Sequence, residues 1–208
     1  MNLDLIVRIT TVVVSFTALI VSIIVAWSNR KSLHVEIDKN LHVLDNGDTF
    51  LLDKDDCYIP FDQGVLSTIE VVNPSPKDIA FFDLRAFNPE TNINIHLITK
   101  RTLPLKHRES SIFRKVNFPM EEENITELSI PDTNYGVFKA NSFTRFHIIM
   151  FPPHDLKELN LAIKVAIRAK VKDQFAVTER KKFKFYGVTY DISSWTEVIK
   201  QQQQSMKE

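Results

Sequence analysis

Nineteen consecutive residues without charge, Ile9 to Trp27, follow an eight-residue start that carries Asp4 and Arg8. As a helix rising about 1.5 Å per residue they are just long enough to cross a hydrocarbon core. No second apolar run of that length follows Lys31. Apolar positions recur instead in short groups that alternate with polar residues and stop at Asn, Gly or Pro. This spacing predicts strands over 41–44, 49–52, 65–72, 79–87, 93–98, 111–118, 125–130, 135–139, 143–151, 161–172 and 175–186. Asp45-Asn46-Gly47-Asp48 predicts a hairpin joining the first two, because Asn and Gly tolerate positive φ. Asn73-Pro74-Ser75-Pro76 and Asn88-Pro89-Glu90 predict turns where proline removes a backbone donor.

All nine prolines lie between Pro60 and Pro153, and no long 3.6-residue apolar period appears before the C-terminus. The expectation is a mainly β protein with three parts: 1–31 as transmembrane anchor and flanks, 32–192 as an antiparallel immunoglobulin-like β-sandwich, and 193–208 as a short helix with a polar tail. The cysteine pair of antibody domains is missing, so immunoglobulin-like refers to architecture alone. At the end, Ser194 to Glu197 fits a capping box, with Val198 and Ile199 beside Trp195. The glutamines Gln201 to Gln204 have little to bury and should fray.

Ala26-Trp27-Ser28 has the small residues of a signal-peptide cleavage site, but Arg8 alone supplies charge in front and the apolar run exceeds a usual signal core. Retention as an anchor is therefore expected. Arg30, Lys31 and Lys39 follow the span, against Arg8 with Asp4 before it. Cations stay on the cytoplasmic side during insertion, which places the protein in the cell membrane with its domain in the cytoplasm. The small margin leaves an exported bacterial surface or envelope domain as the alternative. Cys57 is the only cysteine and excludes an intrachain disulfide; this leans toward a reducing compartment yet is common in bacterial exported proteins. Asn124-Ile125-Thr126 reads as a chance glycosylation triplet.

Residues 18–37, where the apolar span ends in Trp27-Ser28-Asn29-Arg30-Lys31 and passes directly into a Val/Ile-rich first strand, resemble uncharacterised bacterial single-pass membrane proteins with a cytoplasm-facing β-sandwich. The resemblance implies topology and adds no site residues.

Composition narrows the chemistry. Twenty-six basic and 26 acidic side chains balance, so no bulk field favours nucleic acid. Phosphate-cradling loops need clustered glycines, whereas Gly47, Gly64, Gly136 and Gly187 are scattered. The histidines His34, His42, His96, His107, His147 and His154 show no zinc spacing, and Cys57 has no local catalytic signature. No cofactor, metal or catalytic residue is expected. Asp45, Asp48, Asp53, Asp55 and Asp56 crowd two turns but lack the glycine and terminal glutamate of a calcium loop.

Two features remain. Alternation from Ile163 places Lys164, Arg168, Lys170 and Lys172 on one strand face, with Lys182 and Lys184 expected beside them while Phe183 and Phe185 turn inward. Such a face would suit anionic lipid or a protein partner, unless the acid-rich segment 32–62 neutralises it within the fold. In the span, Thr11, Ser15, Ala18, Ser22 and Ala26 line one side with small residues, which permits homodimer packing. The sequence thus leads to a non-enzymatic membrane-anchored binding or scaffolding module, with an enzyme of unrecognised site as the remaining class.

Overall fold

The computed structural model describes residues 3–28, 30–44, 47–53, 58–61, 64–117, 123–167 and 183–193. The expected C-terminal helix lies outside them. Helix α1 (Leu3–Ser28) contains a stretch, Val7–Trp27, long and apolar enough to cross a membrane, and none of it is buried against the rest of the chain. Every other element among the described residues is a strand, apart from one short 3-10 turn (Leu105–His107).

The strands are β1 (His34–Ile37), β2 (His42–Val43), β3 (Thr49–Leu52), β4 (Tyr58–Pro60), β5 (Val65–Asn73), β6 (Ile79–Phe87), β7 (Asn94–Leu97), β8 (Ser111–Asn117), β9 (Glu123–Leu128), β10 (Gly136–Phe138), β11 (Ser142–Phe151), β12 (Glu158–Val165) and β13 (Lys184–Asp191). All pairings are antiparallel. A nine-stranded sheet runs β1-β5-β11-β7-β6-β12-β13, with β2 also on β5 and β10 also on β6. A smaller sheet runs β4-β3-β8-β9.

The large sheet curls around one core. Val65, Ile69 and Val71 of β5, Ile148 and Met150 of β11, and Leu159, Leu161, Ile163 and Val165 of β12 all face it. On β6 the inward residues are Ile79 and Phe81, then Leu84 and Ala86. The parity changes because β6 carries one extra residue opposite β12, with Asp83 at φ 55°. A bulge of this kind bends the strand and lets both halves bury their apolar positions. The curl brings the first and last strands together without a backbone ladder between them. Tyr190 Oη donates to Asp38 O at 2.5 Å and lies 2.8 Å from Ser67 Oγ, and Tyr186 Oη lies 3.4 Å from Leu33 O. Burial pushes the Tyr190 phenol up to about 12, so it remains a donor at ordinary pH. The result is close to a closed barrel, and the immunoglobulin-like layering expected from the sequence goes beyond what this pairing shows.

The small sheet covers half of the outer face of β5 and β11. Leu66 and Ile149, directly opposite each other, join Leu44, Leu51, Ile98, Leu103, Ile112, Leu128 and Ile130 in a second core. The expected hairpin around Asn46-Gly47 does not form. β2 pairs with β5, whereas β3 pairs with β4 and β8, so this segment crosses from one sheet to the other. Leu44 is drawn into the second core and its N–H donates to Gly64 O at 2.9 Å, which outweighs the local turn preference.

Asn73 fixes one end of the barrel. Fully buried, it donates through Nδ2 to the carbonyls of Lys77, Phe138 and Lys139, while its Oδ1 accepts from the Ser75 amide and hydroxyl. The β5–β6 and β10–β11 turns are thereby held together. At the seam, Tyr190→Phe should remove the donor to Asp38 O and cost about 1–3 kcal/mol, the usual penalty for an unsatisfied buried partner. Urea denaturation of the detergent-solubilised chain checks this by a lower midpoint with unchanged slope.

Candidate functional site

Outward positions of β1, β5 and β11 fall into rows set by the register. His34, Val72 and Phe143 form one row, and Glu36, Glu70 and Arg145 the next. Thr68 pairs with His147 in the third, where Asp38 N donates to Thr68 O at 2.9 Å. Where the small sheet ends, the second and third of these rows are left uncovered and form an open groove of about 600 Å³ lined by Glu36, Asp38, Lys39, Glu70, Arg145 and His147.

Glu36 and Glu70 stand directly opposite, an arrangement that is unfavourable unless a cation intervenes. Arg145 supplies one for Glu70, with Nε at 2.8 Å and Nη2 at 2.7 Å from Oε1. Both side chains are substantially exposed, so the pair contributes at most about 1 kcal/mol. Among the described residues Glu36 meets only His34, 3.9 Å away. The groove floor therefore offers carboxylate oxygens to a donor from outside.

His147 closes the groove against the small sheet. Its Nδ1 accepts from the Ser129 amide at 2.9 Å, and its own amide donates to Ser129 O at 2.8 Å. This two-way bond ties β11 to the chain just beyond β9, and it requires a neutral imidazole. Burial, then the nearby Arg145 and Arg114 charges, hold the His147 pKa below its ordinary value, against a smaller opposing effect of Glu70.

Of the expected basic face only Lys164 and Lys184 lie among the described residues, and these two do not stand side by side. Register places Phe185 opposite Lys164 and Lys184 opposite Val165, so the two lysines lie on opposite sheet faces. Phe185 correspondingly points outward and is exposed, not turned into the core. A one-residue offset between strands reverses every side chain, which sequence alternation alone could not reveal. Lys164 is engaged at 2.5 Å by Asp83 of the β6 bulge and lies over the Phe183 ring. Lys184 lies over the Tyr186 ring. Arg168, Lys170, Lys172 and Lys182 lie outside the described residues. The compensating acid for Lys164 comes from β6, not from the acid-rich segment 32–62, of which Leu33 and Asp38 sit beside the last strand.

The small residues Thr11, Ser15, Ala18, Ser22 and Ala26 lie on α1, where the Thr11 and Ser22 hydroxyls donate to the carbonyls four residues earlier. Those hydroxyls are satisfied within the helix, so the stripe presents small volume more than free donors. Asp53 lies between His107 Nδ1, at 3.2 Å, and Ser110 Oγ, which donates to it at 3.1 Å. The serine therefore points at the carboxylate and not at the imidazole, which lacks the nucleophile-to-base contact of a hydrolytic triad. Asp45, Asp55, Asp56 and Cys57 lie outside the described residues. Among the described residues no group of three or more His, Cys, Asp or Glu could hold a metal ion.

The sequence reading missed the groove residues Glu36, Glu70, Arg145 and His147. Their outward parity was visible in the alternation of β5 and β11, but only register brings them into rows. No protein-family model matches the chain, and no curated protein and no solved structure matches it significantly.

The histidine bond has a pH consequence. With its folded pKa below 6.5, His147 stabilises the fold above that value, and the contribution is lost as pH falls through the lower folded pKa. Asn at this position can still accept from Ser129 but does not titrate. His147→Asn should therefore flatten the loss of thermal stability between neutral and mildly acidic pH, as measured by melting temperature across that range.

Proposed function

We propose that this is a single-pass membrane protein whose β domain is a non-enzymatic binding module held at the membrane surface by α1. The observation that carries the reading is a helix long and apolar enough to cross a bilayer, unburied along its span, set a few residues before a β domain with an open charged groove. An unburied helix of this kind gains about 25 cal/mol per Å² of apolar surface only if lipid covers it, since no core is available to do so. With a small sheet packed over one flank of a curled large one, we read the domain as a relative of the sandwich folds used for recognition. The excess of cations after the span favours the cytoplasmic side for the domain.

The groove suits a basic side chain from a protein partner. Glu36 and Glu70 face one another, Arg145 satisfies only the latter, and Asp38 adds a carboxylate at the rim. A lysine or arginine entering between them would relieve the like-charge contact and make charge-assisted bonds.

Carbonate extraction should leave the full chain in the membrane fraction, and protease added to intact cells should spare residues 32–208. A mature protein beginning near Asn29 would refute the anchor, and cleavage within the domain would reverse the topology in favour of an exported domain. For the groove, Glu36→Lys changes an exposed residue and should preserve folding while abolishing capture of a groove partner from detergent-solubilised membranes. Identical sets of captured proteins for parent and variant would remove the groove from the binding reading.

A further inference from the structure

The strand registers gather several exposed apolar side chains at one end of the barrel, and it is the end to which α1 is joined. β1 starts there, with five residues between it and the end of α1. A trans chain reaches at most about 3.6 Å per residue, so this end stays within roughly 20 Å of the helix terminus in any arrangement. At the same end lie the β5–β6 turn, the β10–β11 turn, the last residue of β12 and the first of β13, because His34 pairs with Val72, Ser142 with Asn73, Phe138 with Ile79 and Lys184 with Val165.

Outward positions close to this rim are apolar on two arcs of the sheet. Val72 and Phe143 are directly opposite each other and exposed by 40% and 55%. On the other arc Val137 and Phe185 are exposed by 50% and 48%, with Phe82 between them. Exposed apolar side chains standing singly need no explanation, but a rim of them at a tethered end does. Charge points the same way. Among the described residues Arg30, Lys31, Lys77, Lys139 and Lys184 lie at this end; Asp78 is engaged by Lys139 and the Ala140 amide and Asp83 by Lys164, while Glu36 and Glu70 lie one row further in. The opposite end carries Asp38, Glu90, Asp155, Glu158 and Asp191 against Lys39 and Lys157. Among the described residues the charge of the domain is thus polarised along its length, positive next to the span and negative away from it.

We propose that this rim is a second membrane contact: the barrel stands end-on with Val72, Phe143, Val137 and Phe185 in the headgroup layer and its rim lysines against anionic lipid phosphates. Aromatic and cationic side chains are favoured at that depth, where one part of the side chain meets acyl carbon and the other stays hydrated. The tether removes most of the entropic cost of docking, since the rim is already within reach of the surface. The inference rests on α1 spanning the membrane, and its test separates the two.

The full chain, with Cys57 replaced by Ser, would carry a single cysteine at Phe143→Cys, Val137→Cys or, at the opposite end, Ile93→Cys, each labelled with an environment-sensitive fluorophore. Each is reconstituted into vesicles of phosphatidylcholine and phosphatidylglycerol, with and without bromination near the glycerol end of the acyl chains. Flotation with the vesicles reports the anchor. Brominated lipid should quench labels at positions 143 and 137 several times more strongly than at 93, and removing phosphatidylglycerol should weaken that quenching. Flotation with equally weak quenching at all three positions would overturn the rim contact and leave the anchor standing. Failure to float would overturn both.

Discussion

The antiparallel pair of β5 and β11 is the wall on which both cores are built. Nine registered positions join these strands, and at the half nearer β7 both faces are buried. Val65, Ile148 and Met150 look into the barrel, while Leu66 and Ile149 look into the space beneath the small sheet. A strand buried on both sides reads as a continuous apolar run, which is how Ile148-Ile149-Met150 appears in the sequence. Where the small sheet ends, the outward positions turn polar and the groove begins. The same ladder therefore sets the inner core, the outer core and the candidate site, and a slip of one residue would scramble all three.

Much of the strand content was readable from alternation and punctuation. β3, β5, β6, β7, β8, β10 and β11 fall where the apolar spacing predicted them, because their half-buried faces impose a period of two, whereas β13 (Lys184–Asp191) begins only at the end of the predicted 175–186. Pairing was not readable. Asn46-Gly47 carries a strong local turn signal, yet Leu44 belongs to a core that completes itself only with residues from β5, β8 and β11. Strand β4 was overlooked because it is three residues long and ends in Pro60. The β6 bulge was hidden for a different reason: Ile79, Phe81, Leu84 and Ala86 fit neither parity throughout, and only the extra residue opposite β12 reconciles them.

The site was less readable than the fold. A basic face was inferred from one strand and extended to the next by assuming that Lys184 lies beside Lys164, an assumption that fails by one residue. Asp83 then supplies the neutralising charge from a bulge that the sequence did not announce. The groove has the opposite history. Glu36, Glu70, Arg145 and His147 are unremarkable polar residues in sequence, separated by up to 111 positions, and they acquire meaning only as neighbouring rungs. Electrostatic sites on sheets depend on register more than on composition.

The direct passage from α1 into β1 has a mechanical consequence. Strand β1 is held to β5 by its ladder on one side and to the last strand by tyrosine side chains on the other. Tension applied between α1 and the β domain would enter through the end of β1, along the strand axis. The β1–β5 bonds would then bear the load together in shear and would not open one after another. The chain is therefore wired so that a pull on α1 is met first by the part of the sheet that is backed by the barrel core.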